Sequence, residues 1–142
     1  MKLLPNTFAA AGIAIALSGC ATVPAAPTTF LDGTRWAVVD VNGVNIQNRS
    51  DFTVSFSGTR FEGQFGCRHV SGNYILRPAA NDVEQAIYQG SAARVTGAPC
   101  VGNLPEEIGP ELLSNASMSL QYNSDGYLIM LQPPTGMALR PL

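Results

Sequence analysis

The sequence predicts a mainly β domain, a small antiparallel barrel or half-barrel of about eight strands with one short helical insertion. Short runs in which apolar and polar residues alternate, as in residues 52–57, indicate strands with one buried face. Turn signals such as Asn42-Gly43 and Gly58-Thr59 separate these runs at close spacing, which is typical of antiparallel sheets. The chain of 142 residues suffices for one such domain with a single core.

The strands follow one another along most of the chain. Trp36 opens the first strand, which ends at Asn42-Gly43, the strongest short hairpin signal. Strands are predicted at residues 52–57, 60–62, 74–76, 83–88, 117–122 and 137–140, with a last turn at 134–136. Residues 127–131 are continuously apolar, which predicts a strand buried on both faces, and Phe52, Phe56 and Leu131 are expected to fill the interior.

One segment, residues 104–114, has the pattern of a helix. Asn103 suits the cap, Pro105 suits the first turn, and Glu106 and Glu107 complement the helix dipole. The Gly109-Pro110 pair predicts an interruption after one or two turns. The two adjacent glutamates do not face one site on a helix, so we expect a solvated first turn and not a catalytic pair.

The charge pattern excludes several classes of protein. The net charge is −2, and every basic residue except Lys2 is an arginine standing alone in the sequence. A nucleic-acid-binding surface requires clustered cations, so we expect no nucleic-acid partner. The sequence has no glycine-rich phosphate loop and no paired metal-ligand spacing, so we predict a non-enzymatic protein without cofactors or metal ions.

The first residues look like an export signal. Lys2 precedes an apolar run at residues 8–17 that is too short to span a bilayer. The run ends in Leu17-Ser18-Gly19-Cys20, which resembles a bacterial lipobox. The resemblance implies a signal peptide at 1–19, a membrane anchor through lipid on Cys20, and a tether at 20–29 before the domain at 30–142. Ala21 after the cysteine favours the outer membrane, with the domain facing the periplasm.

The three cysteines leave an even pair once Cys20 carries lipid. In an oxidising compartment we expect Cys67 and Cys100 to form a disulfide, and the loop of about 34 residues that it closes would contribute roughly 3–4 kcal/mol. Two alternatives stay open. Cys67 and His69 could form a nucleophile–base pair, or both could bind a metal ion together with Cys100.

The domain also resembles the META/HslJ-like family of bacterial envelope proteins, whose members are linked to stress responses and have no established common enzymatic activity. The match runs from about Trp36 to the C-terminus, and its most specific piece is the run from Gly66-Cys67 to Gly72-x-Tyr74. Arg68 stands where the family usually has asparagine. The family signature comprises Trp36, Gly66, Cys67, Gly72, Tyr74, Thr96 and Cys100.

We therefore expect a non-enzymatic envelope lipoprotein whose barrel is an interaction or stress-protective module with an envelope protein as partner. Two alternatives are an inhibitor of a periplasmic hydrolase such as lysozyme and a carrier of a small apolar ligand. The inhibitor reading depends on an exposed Ser71-Gly72 loop that could enter a cleft, and the carrier reading on an interior wide enough for a ligand.

Overall fold

The computed structural model describes residues 30–79, 82–98, 104–115 and 117–142, without the side chains of 82–84 and 115. Eight antiparallel strands form a closed barrel, because β1 pairs with both β3 and β9, and β2 adds a short ninth strand beside β1. The predicted fold class is confirmed. The strands are β1 (Arg35–Val41), β2 (Val44–Asn45), β3 (Phe52–Ser57), β4 (Arg60–Phe65), β5 (Arg68–Ala79), β6 (Asp82–Thr96), β7 (Ser117–Tyr122), β8 (Leu128–Gln132) and β9 (Thr135–Pro141).

The predicted hairpin at Asn42-Gly43 is confirmed. Both residues have positive φ, 56° and 82°, and Val41 pairs with Val44 across the two-residue loop. This is the left-handed pair of conformations that tight hairpins need, and asparagine and glycine adopt it most readily.

Aromatic rings fill the barrel interior. Phe52, Phe56 and Phe61 are fully buried, and the rings of Tyr74 and Tyr88 stack with centroids 5.8 Å apart. Phe56 contacts both tyrosines edge to face. Because rings of this size occupy the space that a ligand would need, the interior disfavours the carrier reading.

The helix α1 (Leu104–Asn115) continues through Gly109 and Pro110, so the predicted interruption is wrong. Its buried face packs on the barrel and includes Leu112 and Leu113. Burying two leucines contributes roughly 3–6 kcal/mol, which offsets the cost of about 3 kcal/mol for an interior proline. Gly109 allows the close approach, since a Cβ there would lie 2.2 Å from the ring of Phe65.

The prediction that residues 127–131 are buried on both faces is also wrong. In β8, Leu128 and Met130 point inward, whereas Leu131 is 37% exposed and does not fill the interior. A barrel strand buries only its inner face, and an apolar run does not reveal which of its residues lie outside.

Strands β5 and β6 are much longer than predicted, and they pair along most of their length with two register shifts. The Ser71-Gly72 pair lies in the middle of β5 and not in an exposed loop. Gly72 is buried, and a Cβ there would lie 2.8 Å from the ring of Phe61. The inhibitor reading therefore loses the loop on which it depended.

Candidate functional site

One edge of β6 is left without a neighbouring strand. On that side β7 pairs only with Ala86–Gln89, and no strand in the described part of the chain continues beside residues 91–96. Each residue from Ser91 to Thr96 is exposed. A register shift of the β5–β6 ladder in this part makes Ala92 and Ala93 bulge, and Ala92 has a φ of 50°.

Helix α1 lies alongside this edge because contacts at both ends hold it there. Near its C-terminal end, Tyr88 donates a hydrogen bond of 2.9 Å from its hydroxyl to the carbonyl of Leu113. Gly90 lets the backbone approach, since a Cβ there would be 2.1 Å from the same carbonyl oxygen. Burial raises the pKa of Tyr88, so its hydroxyl remains a donor across the physiological range.

The N-terminal end of α1 is held at the turn between β4 and β5. Gly66 has a φ of 61°, and a Cβ on it would lie 2.1 Å from Oε1 of Glu106. Glu106 is 0% exposed, so the expectation of a solvated pair of glutamates is wrong for this residue. Glycine at 66 makes the difference, because it gives the carboxylate a place in the interior that any side chain would occupy.

Arg49 brings positive charge to the same end of the barrel. One Nη atom of Arg49 lies 3.8 Å from Oε1 of Glu106. Arg49 also forms an ion pair with Asp51, and its guanidinium carbon lies 4.8 Å from the centre of the Phe52 ring. The hydrogen bond from Arg49 holds the pKa of Asp51 below its ordinary value, and the bond to Asp51 raises the pKa of Arg49. The cluster also holds the turn that carries Gly66, because the Gly66 N–H donates a hydrogen bond of 2.9 Å to the backbone carbonyl of Asp51.

A groove of about 670 Å³ separates α1 from the free edge of β6. We call it the α1–β6 groove. Its strand side consists of residues 90–93 and Val95, and its helix side includes Glu107, Glu111 and Ser114. Both Glu107 and Glu111 are exposed, and no arginine in the described residues forms an ion pair with either. Arg68 lies at the groove with its Nε buried and without a hydrogen-bond partner.

The cysteine prediction is answered in part. Cys67 lies in the turn between β4 and β5, and its sulfur is engaged in a disulfide, which disfavours the nucleophile–base pair with His69. Cys20 and Cys100 lie outside the described residues, so lipid on Cys20 and the pairing with Cys100 stay predictions. His69 is an exposed residue of β5 opposite Thr96. In the described ranges no three or more His, Cys, Asp or Glu residues come together as metal ligands.

Three other signature residues support the barrel itself. Trp36 is buried at the start of β1, where its indole N–H donates a hydrogen bond of 2.7 Å to Thr34. Tyr74 packs in the core, and Gly72 makes room for Phe61. Thr96 is the last residue of β6 and is exposed. The predicted signature is therefore spread between the core and the turn beside α1 and does not form one pocket.

Sequence reasoning missed the groove and the Arg49–Asp51 pair. A usable signal was the spacing of Glu107 and Glu111, four residues apart and hence on one side of a helix. The pairing of β7 with β6 ends at Gln89, and no local pattern in the sequence indicates this end point. The end point depends on where the chain returns to the barrel after α1. Among the described residues, no helix is long and apolar enough to cross a membrane.

The described residues define the class of protein as an eight-stranded antiparallel barrel with one helix beside it. No protein-family model matches the chain, and no curated protein matches it either. The chain is similar to a protein from Burkholderia xenovorans solved by NMR, with a TM-score of 0.56 and 17% sequence identity. The similarity covers 100% of this chain and 99% of that one, and it supports the fold alone. The resemblance to the META/HslJ-like family stays a prediction.

Proposed function

We propose that this chain is a non-enzymatic lipoprotein of the bacterial cell envelope with a META/HslJ-like barrel that acts as an interaction or stress-protective module. The observation that carries the proposal is the lipobox-like Leu17-Ser18-Gly19-Cys20 directly after an apolar run. Lipid on Cys20 would attach the chain to a membrane with the barrel facing the periplasm, and Ala21 after the cysteine favours the outer membrane.

The surface of the barrel supports a binding role better than the interior does. Stacked aromatic rings fill the interior, while the α1–β6 groove is open on the outside and is lined by backbone, carboxylate and hydroxyl groups together with the guanidinium of Arg68. Such a groove can recognise a protein segment without chemistry at a reactive side chain. The partner would be another protein of the envelope.

The disulfide supports the same compartment. Cys67 is disulfide-bonded, and such bonds persist in oxidising compartments. A Cβ on Gly97 would lie 2.2 Å from the carbonyl oxygen of Cys67, so the chain passes close to Cys67 three residues before Cys100. Because three residues span at most about 11 Å, this close approach at Gly97 supports the proposed pairing of Cys67 with Cys100.

The anchor is tested by labelling growing cells with a radioactive fatty acid and separating their membranes. The wild-type chain and a Ser18→Ala control should carry label and sediment with the outer membrane, whereas Cys20→Ala should lose the label. An unlabelled wild-type chain would contradict the anchor. A hydrolytic activity of the purified protein that a single substitution abolishes would contradict the non-enzymatic role.

A further inference from the structure

The free edge of β6 is unusual for a closed barrel. Closure pairs the strands on both sides and so removes exposed edges. In the described part of the chain, β2 contributes an outer edge of two residues, whereas β6 presents six consecutive exposed residues from Ser91 to Thr96. An edge of this length can pair with an added strand through its backbone N–H and C=O groups.

The α1–β6 groove has the dimensions of an extended peptide. The six residues of the free edge span roughly 17 Å at about 3.3 Å per residue. Helix α1 runs beside them and provides a second wall, so a strand added to β6 would turn every second side chain toward the helix. A groove between a strand edge and a helix is suited to one extended segment.

The helix wall favours basic side chains. Glu107 and Glu111 are exposed at the groove, lack an ion-pair partner among the described arginines, and lie about 6 Å apart along the helix axis. Alternate residues of an extended strand are about 6.7 Å apart. Two basic residues separated by one other residue therefore match the two carboxylates in both charge and spacing.

We propose that the α1–β6 groove binds an extended peptide segment of a partner protein, which pairs with the edge of β6 at residues 91–96 and places two alternate lysine or arginine side chains on Glu107 and Glu111. The proposal names the partner chemistry of the interaction module and rests on that proposed function. Backbone pairing with the edge supplies most of the affinity, and the two ion pairs select the sequence.

The probe is a fluorescent, end-capped peptide of seven residues in which valine and lysine alternate. Its binding to the full-length protein purified from membranes is measured by anisotropy, and hydrogen exchange with mass spectrometry locates the contact. The peptide should bind, and exchange should slow in residues 91–96. A matched peptide with glutamate in place of lysine should bind roughly ten-fold more weakly, because it loses two exposed ion pairs worth up to about five-fold each and places like charges opposite Glu107 and Glu111.

Protein variants and peptide variants separate the two parts of the contact. The double substitution Glu107→Gln/Glu111→Gln should weaken binding and remove most of its salt dependence, whereas Glu62→Gln, an exposed residue on β4, should leave both unchanged. Peptides N-methylated at alternate residues test the edge. N-methylation of the residues whose N–H groups face β6 should abolish binding, whereas N-methylation of the alternate residues should leave it intact. Alternate residues of a strand direct their N–H groups to opposite sides, and only one side pairs with β6.

Several results would overturn the proposal. One is the absence of binding at millimolar peptide, and another is slowed hydrogen exchange elsewhere on the barrel instead of at residues 91–96. Equal effects of N-methylation at the two alternate sets of peptide residues would also contradict it. Slowed exchange of residues 91–96 that depends on protein concentration would indicate pairing between two copies of the chain. If the peptide does not bind but the wild-type chain carries the fatty-acid label, only the proposed peptide site is contradicted. Loss of the labelling contradicts the lipoprotein proposal, whatever the peptide does.

Discussion

Replacing Gly66 by alanine tests how α1 is fixed to the barrel. Gly66 has a φ of 61°, and a Cβ there would lie 2.1 Å from Oε1 and 2.5 Å from Cδ of the buried Glu106. The substitution therefore forces the carboxylate out of its position. Gly58 is a matched control, because its φ is 58° and a Cβ on it would have no neighbour within 4 Å.

The two substitutions share the cost of a left-handed alanine, roughly 1–2 kcal/mol. Gly66→Ala adds the loss of a buried carboxylate's contacts, about 2–4 kcal/mol, since disrupting a buried charged group is among the more costly changes. We expect Gly66→Ala to lower the free energy of unfolding by about 3–6 kcal/mol in total. Gly58→Ala should lower the free energy of unfolding only by the cost of a left-handed alanine, roughly 1–2 kcal/mol.

Urea unfolding followed by circular dichroism, with the disulfide intact, measures both costs. A double-mutant cycle with Glu106→Ala isolates the contact, because that substitution removes the atoms that the new Cβ would meet. In the Glu106→Ala background, Gly66→Ala should cost no more than Gly58→Ala does. Equal costs of the two single glycine substitutions in the wild-type background would refute the reasoning.

Two further predictions concern groups that hold the helix and the turn. Tyr88→Phe removes the hydrogen bond to the Leu113 carbonyl and should lower the free energy of unfolding by about 1–2 kcal/mol, whereas Tyr122→Phe, at a side chain that is 50% exposed, should change it by less than about 0.5 kcal/mol in the same assay. The pKa of Asp51 is lowered by Arg49, so their pair stabilises the fold above the ordinary carboxyl pKa of 3.8, and this stability is lost as pH falls through the lower folded value. Asp51→Asn should therefore cost up to about 1 kcal/mol at neutral pH and progressively less in acid, and a pH-independent difference between variant and wild type would contradict this cause.

The sequence predicts features of the fold that short segments encode. The hairpin at Asn42-Gly43 and the alternation in residues 52–57 depend on neighbouring residues, and both are confirmed. The helix continues past Pro110 because Gly109 meets Phe65, a contact between residues far apart in the chain. The cost of a proline inside a helix can be predicted from the sequence, but the tertiary contacts that outweigh this cost cannot.

The candidate site depends on such distant contacts throughout. Glu106 is buried because Gly66, forty residues earlier, has no side chain, so the glutamate pair alone could not predict burial. The groove exists because β7 leaves β6 at Gln89 while α1 remains beside it. Lipid on Cys20 and the pairing of Cys67 with Cys100 are predictions from sequence that concern residues outside the described part.

The most direct test of a lipid-anchored, disulfide-bridged barrel is the intact mass of the protein purified from membranes, measured before and after reduction and alkylation. We predict the mass of a chain that begins at Cys20 and carries three acyl chains, with both remaining thiols alkylated only after reduction. An unlipidated chain that retains residues 1–19, or alkylation of Cys67 before reduction, would contradict the account.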